Sequence, residues 1–264
     1  VVNLASDLDG FFNSVADKLH LVATVQTRQD SRLQLVLNDL LSKDSELVWV
    51  GSLRFRSGSP APSYDEYFHD KKYQATYGLE EGFFHEVLPA SKPIPLEDIH
   101  RTGEATWSAT LADDGPALVG FAKSVIEENE KGEPIRHSIL IAYIRADRMI
   151  AALEASRPNT SVILNQRGEI LAHADPARLR QQKLEDPELF NQARELKVRA
   201  QVLKYESGNE SRFGAFAKSR GGRFIILSSI SEAMAFRAMN DLVTRSLLFG
   251  SILFTLSFLI AIFF

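Results

Sequence analysis

The sequence predicts an α+β chain: a long N-terminal helix, two antiparallel-sheet modules in tandem, and a C-terminal apolar helix. Three observations predict it. Leu4, Leu8, Phe11, Val15, Leu19, Val22 and Val25 recur at spacings of three and four, the period of a helix with one apolar face. Two successive stretches then run from a strand through short helices to three strands set apart by turn sequences. Residues 246–264 carry no charge at all.

Taken in order, residues 1–45 read as one helix. After a polar break at 26–31 the stripe resumes at Leu33, Val36 and Leu40. At about 1.5 Å per residue such a helix is roughly 60 Å long, which suits a spine or a dimer seam. Packing on its own domain is the other reading, and both can hold at once. A strand is expected from Leu47 to Phe55, then a loop over 57–63. Short helices are expected over 64–77 and 95–100, because Gly82, Pro89, Pro93 and Pro95 forbid a long one. Strands follow at 104–110, 117–125 and 137–144, separated by Asp113-Asp-Gly-Pro116 and Asn129-Glu-Lys-Gly-Glu-Pro134. A short helix over 147–154 is stopped by Arg157-Pro-Asn159.

The pattern repeats on a smaller scale. Strands at 161–164 and 169–173 flank Asn165-Gln-Arg-Gly168, a hairpin signal. Helices are expected at 175–179 and 187–199, then strands at 201–205, 213–218 and 223–230. Short links favour antiparallel pairing, since parallel strands need long crossovers. Ser231 can cap a final helix, and Glu232 suits its first turn. The expected boundaries are 1–45, 46–156, 157–230 and 231–264.

Composition narrows the function. A net charge of −4 leaves no basic footprint for nucleic acid. Cysteine is absent, which rules out disulfides and thiolate sites. Spanning a bilayer takes roughly 20 apolar residues. Residues 246–264 reach that length directly after Arg245, so a transmembrane helix is expected there. The first residue is Val1 and the last stands at the edge of the apolar run, so a fragment of a longer polypeptide is expected. The histidines at 20, 69, 85, 100, 137 and 173 form no ligand pair, and no nucleophile elbow or phosphate loop is present. No catalytic residue, metal or cofactor is therefore expected. His173 is expected to pair locally with Asp175 or to pack beside its turn.

A binding pocket is the better hypothesis, because such pockets are apolar and aromatic with a few placed polar groups. Tyr64, Tyr67, Tyr73 and Tyr77 are four of the six tyrosines. Trp107, Phe121 and Tyr143 fall on the expected sheet, and Arg54 and Lys123 can answer an anionic ligand. The candidate lining is thus Arg54, Tyr64, Tyr67, Tyr73, Trp107, Phe121, Lys123 and Tyr143. The plainer reading is that these aromatics build the core.

At this point the residues carry a resemblance. A long helix, two sheet modules and a membrane helix resemble the layout of double Cache sensor domains, whose modules are PAS-like. The hairpin Val162-Ile-Leu-Asn-Gln-Arg-Gly-Glu-Ile-Leu-Ala-His-Ala-Asp-Pro176 is similar to the start of that family's membrane-proximal module. Ile139-Leu-Ile-Ala-Tyr-Ile-Arg-Ala-Asp-Arg-Met149 is similar to the last strand and helix start of the distal module. The closest impression is of bacterial membrane-anchored adenylate/guanylate cyclases.

The resemblance implies a small-molecule ligand in the distal module, covered by the 64–77 segment. It also implies a homodimer through the N-terminal helix and an anchor in the bacterial inner membrane with the sensor outside the cytoplasm. The expected function is therefore extracytoplasmic sensing and transmembrane signalling. The alternatives are the ectodomain of a class III cyclase whose catalytic domain lies elsewhere, or a ligand-free dimerisation module. Amino-acid-binding members share an Asp on the last distal strand, and Tyr143 stands where that Asp aligns.

Overall fold

A computed structural model describes residues 1–28, 39–43, 46–54, 63–111, 115–128, 134–155, 159–208 and 210–263. The stripe positions Leu33 and Val36, the loop at 57–62, and the turns at 113–114, 129–133, 157–158 and 209 lie outside them.

Helix α1 (Val2–Arg28) buries Ala5, Leu8, Phe12, Val15, Ala16, Leu19, Val22, Ala23 and Val25. The expected stripe is therefore real, but it is spent inside the chain. It packs on both modules at once, in one core that includes Phe121 and Leu140 from the first and Ile163, Phe224 and Ile226 from the second. Phe12, not Phe11, is the deep aromatic. Its ring lies 5.8 Å from that of Phe121 and 5.6 Å from that of Phe224.

Two five-stranded antiparallel sheets follow. The first contains β1 (Leu47–Arg54), β2 (Ser63–His69), β3 (Glu104–Ser108), β4 (Leu118–Glu128) and β5 (Pro134–Arg145), in the order β2-β1-β5-β4-β3. The second contains β6 (Thr160–Leu164), β7 (Ile170–His173), β8 (Ala200–Ser207), β9 (Glu210–Lys218) and β10 (Ile225–Ser231), in the order β7-β6-β10-β9-β8. The two orders are the same. In each, the chain must cross one face of the sheet to pass from its second strand to its third, at the opposite edge.

The first crossing carries α2 (Lys71–Tyr77), a π-turn (Phe83–Val87), α3 (Leu88–Ser91) and α4 (Leu96–Thr102). The second carries α6 (Pro176–Gln181) and α7 (Pro187–Glu195). Helix α5 (Asp147–Glu154) joins the modules, burying Met149 and Leu153 in the α1 core. Each sheet is thus covered on both faces, by α1 on one side and by the crossing segment on the other, except at the edge strand β8, whose residues are mostly exposed.

One element differs from expectation. Residues 63–69 form a strand, not the start of a helix. Pairing with β1 decides it: Arg54 meets Ser63, Leu53 meets Tyr64 and Trp49 meets His69, with a bulge at Val50/Gly51. Tertiary pairing overrides the local helix preference of Asp65-Glu66.

Helix α8 (Glu232–Phe263) leaves β10 and is tied back by Lys204 Nζ to Glu232 Oε1 at 2.7 Å. Among the described residues, no helix is long and apolar enough to cross a membrane. The expected transmembrane helix is corrected to that extent. The first part of α8 holds Glu232, Arg237, Asp241 and Arg245, and of the apolar run after it only residues 246–254 and 257 have described side chains.

The cross-strand register sets a row of four positions across the first sheet. Trp49 of β1 faces Tyr143 of β5, which faces Gly120 of β4, which faces Trp107 of β3. Glycine is required in that row: a Cβ at Gly120 would fall inside the Trp107 indole. Gly120→Ala should therefore cost about 1–3 kcal/mol as an overpacked core, read as a lower urea midpoint at unchanged m-value.

Candidate functional site

The crossing segment 70–103 covers the outer face of the first sheet, and the aromatic row lies beneath it. Trp49 and Tyr143 are 0% exposed and Trp107 is 3% exposed. Phe84, from the π-turn, closes the cluster. Its ring centroid lies 6.3 Å from Trp49 and 5.9 Å from Tyr143, both stacked. Trp107 meets Tyr143 edge-on at 6.0 Å, and Trp49 meets it tilted at 5.6 Å. Tyr143 is thus the centre, touched by three rings.

Two polar atoms in this box are buried without hydrogen bonds among the described residues: the Tyr143 hydroxyl and the Trp107 indole Nε1. Leaving a buried donor unpaired costs about 1–3 kcal/mol. Burial also raises the Tyr143 pKa above its ordinary value, with the nearby Tyr64 adding to the shift, so the hydroxyl keeps its proton. Both atoms are therefore buried donors within one cluster of packed rings.

A cleft of about 490 Å³ lies over this cover, lined by Glu66, His69, Gln74, Glu80, Phe84 and His85 among others. Phe84 is shared between cleft and box. Trp49 Nε1 donates to Glu66 Oε2 at 2.7 Å, and His69 bridges Glu66 Oε1 at 3.0 Å and Gln74 Oε1 at 2.5 Å. Partial burial works against ionising Glu66. The hydrogen bonds from His69 and Trp49, with the positive charge of His69 and His85, outweigh it and hold the carboxyl below its ordinary value.

The predicted lining residues divide between the two faces. Tyr64, Tyr73, Trp107 and Tyr143 belong to the cluster under the crossing segment. Tyr64 is half-buried beside His85, at 6.4 Å between rings, and burial raises its pKa. Tyr73 lies under the Arg145 guanidinium at 4.4 Å and meets the tilted Tyr77 ring at 4.7 Å; burial, then Tyr77, push its pKa up.

Tyr67 packs against the α1 core instead, with its hydroxyl 2.6 Å from Ser52 Oγ. Phe121 lies in that core as well, and Lys123, two residues on in the same strand, shares its face. Arg54 is paired to Asp65 across β1 and β2. Phe121 and Lys123 therefore stand apart from the aromatic box.

Sequence reasoning missed Trp49, Phe84 and Glu66. Trp49 lies in the apolar run Leu47-Val-Trp-Val50, which gives no sign of which side chain faces the crossing segment. It missed Arg145 too, which bonds Asp70 Oδ2 at 2.8 Å while Asp70 caps α2 through Tyr73 N.

The equivalent face of the second module also holds buried polar atoms without hydrogen bonds among the described residues, the Tyr205 hydroxyl among them. Ser229 Oγ donates to Asp186 Oδ2 at 2.5 Å and accepts from Arg212 Nη2 at 3.1 Å. Burial pushes the Tyr205 hydroxyl up to about 12. His173 Nδ1 accepts from Asp175 N at 2.8 Å, the local pairing expected, and burial holds its pKa below the ordinary value. The space beside them is about 10 Å³, enough for about one water. Among the described residues no group of histidine, aspartate or glutamate is placed to hold a metal ion.

Two outcomes test this geometry. Tyr143→Phe removes an unpaired buried hydroxyl, so it should raise the thermal midpoint, by about 1 kcal/mol in stability. A lower midpoint would mean that the hydroxyl is bonded in the resting protein. Glu66 has a folded pKa below its ordinary 4.5, so its contribution is complete above 4.5 and is lost as pH falls through the lower folded value. Glu66→Gln should flatten the stability profile in that acid window, followed by urea melts at stepped pH.

No protein-family model matches the sequence, and no curated protein matches it. The fold does match solved structures. The ligand-binding domain of the Pseudomonas aeruginosa amino-acid chemoreceptor PctB, in complex with L-Arg, superposes with a TM-score of 0.55 at 13% identity, covering 88% of this chain and 92% of that one. The ligand-binding domain of the Pseudomonas aeruginosa chemoreceptor PctC, in complex with GABA, gives 0.52 at 12% identity over 86% and 94%. The Pseudomonas fluorescens chemoreceptor CtaA ligand-binding domain, in complex with L-isoleucine, gives 0.50 at 12% identity over 89% and 90%. Likeness at this identity establishes the fold alone: two antiparallel-sheet modules in tandem behind a long helix, the arrangement of these ligand-binding domains.

Proposed function

We propose that this chain is the extracytoplasmic input region of a bacterial membrane receptor, and that its first module senses a small molecule in the aromatic box around Tyr143. The observation that carries this reading is the pair of unpaired buried donors, the Tyr143 hydroxyl and Trp107 Nε1, set among stacked rings in the face under the crossing segment. A stable core has no use for them. A ligand that offers an acceptor to both relieves the cost.

The chemistry favours a class of ligand. Two donors and several ring faces suit a flat or apolar body bearing a carbonyl or carboxylate. The nearby carboxylate, Glu66, is already engaged by Trp49 and His69, so an ammonium group is less well served. The chemoreceptors of the same fold are seen with L-Arg, GABA and L-isoleucine, which carry both groups. We therefore place the ligand among small acids or neutral carbonyl compounds rather than amino acids.

Attachment to the membrane forms part of the same reading. Leu242, Leu247, Phe249, Leu253 and Phe254 of α8 are exposed, an apolar surface that lipid would cover. Pairing with a second copy through α1 would use its outer face, at Asn3, Asp7, Gly10 and Ser14, because the apolar face is occupied within the chain. The output driven by α8 is proposed as a nucleotide cyclase, from the resemblance already noted. Sequence beyond residue 264 containing two metal-binding aspartates in a cyclase domain would support it.

A thermal-shift screen of the detergent-solubilised chain against small organic acids and carbonyl compounds tests the sensor. A true ligand at a hundred times its Kd should stabilise by about 2.7 kcal/mol, and Tyr143→Phe should weaken that gain. No stabilisation across the screen would leave the ligand-free dimerisation module as the better reading.

A further inference from the structure

Strand β3 has two working sides. Ala105, Trp107 and Ala109 belong to the aromatic cluster of the first module. The alternate residues are held by the second module. Arg223 Nε and Nη2 donate to Glu104 Oε1 and Oε2 at 2.5 and 3.1 Å. Thr106 Oγ1 donates to Arg223 O at 2.7 Å, and Asn165 Nδ2 donates to Thr106 O at 3.0 Å. Gln182 Nε2 donates to Ser108 Oγ at 3.1 Å. Arg223 also reaches Asn13 Oδ1 of α1 at 2.6 Å.

Position in the sheet makes these contacts matter. β3 is an edge strand, laddered only to β4. Its other side has no strand to hold it, so the second module takes that part. The Arg223 and Glu104 side chains are 13% and 19% exposed, so their two-pronged, charge-assisted pair is largely shielded from water. Trp107 lies one residue from Thr106 on the same strand, pointing the opposite way. Any shift of the Glu104–Thr106 segment must carry the indole with it, off Gly120 and away from Tyr143.

We propose that Arg223, in the second module, is a positioning residue for the aromatic site of the first, acting through Glu104, Thr106 and β3 on Trp107. The proposal rests on the sensor reading of that site and names its regulation. By linkage the effect runs both ways: a ligand that moves Trp107 loosens the Arg223 contact, and loss of that contact loosens Trp107. The signal thus has a route to β10 and α8 besides the α1 core, since Arg223 stands just before β10.

The chain supplies its own probe. Its only two tryptophans, Trp49 and Trp107, both lie in the aromatic row. Emission and acrylamide quenching of the folded chain therefore report on that site alone. Arg223→Ala should shift the emission to the red and remove protection from acrylamide. Arg223→Lys keeps the charge without the fork, and should fall between wild type and Arg223→Ala.

Arg199→Ala is the control. It breaks a contact of Arg199 Nη2 with Asp9 of α1, at 3.0 Å, that bypasses β3. It should lower the thermal midpoint and leave the emission unchanged. Wild-type emission and quenching in folded Arg223→Ala would overturn the proposal, and so would an equal change in Arg199→Ala. Should Arg223→Ala not fold, Thr106→Val, which deletes only the bond to Arg223 O, decides in the same way. No ligand enters this measurement. A failed ligand screen leaves its result standing, and a ligand that binds while Arg223→Ala keeps wild-type emission sinks the coupling alone.

Discussion

Phe12 sits where three bodies meet. Its ring touches Phe121 of the first sheet and Phe224 of the second, and it belongs to the helix that covers both. A fully buried phenylalanine contributes about 1.5–3 kcal/mol relative to exposure, and this one divides that stabilisation between two modules. Around it the α1 stripe from Ala5 to Val25 forms one core with residues of both sheets. The modules therefore share a core on one side and keep separate cores on the other. That sharing places β3 of the first module against the hairpin turns of the second.

The shared core also explains the polar seam beside it. Asp9 of α1 is 6% exposed and is answered by Arg199 Nη2 and by Arg220 N, at 3.0 and 3.1 Å. A buried carboxylate needs such partners, because desolvation of an unpaired charge costs several kcal/mol. Arg223, Glu104 and Asn13 meet the same demand a turn further along. Directional hydrogen bonds define how the modules sit on each other, where apolar packing alone tolerates sliding. The aromatic box has the opposite character: dense ring packing with two donors left over.

Much of the architecture was legible in the residues. The turn Asn165-Gln-Arg-Gly168 announced its hairpin, and Gly168 does adopt positive φ. The helical period of α1 named its buried face almost residue by residue. Strand β2 was not legible, because Ser-Tyr-Asp-Glu-Tyr-Phe-His has no clean alternation and becomes a strand only by pairing with β1. The aromatic cluster under the crossing segment was legible in part: Trp107 and Tyr143 lie in it with Tyr64 and Tyr73 beside them, while Phe121 faces α1.

That division has a single physical cause. In a sheet with one wet face, polar and apolar residues alternate, and the pattern says which way each side chain points. Here both faces of each sheet are covered, by α1 and by the crossing segment, so apolar residues occupy both. Phe121 and Tyr143 then look alike in the sequence although they stand on opposite sides. The amino-acid sequence by itself determined the order of elements, the absence of cysteine, and the apolar stripe of α1, because those are local or compositional. Only the tertiary structure decided which face each aromatic takes, that the stripe is consumed within the chain, and that Gly120 makes room for Trp107, because those depend on register between strands far apart in sequence.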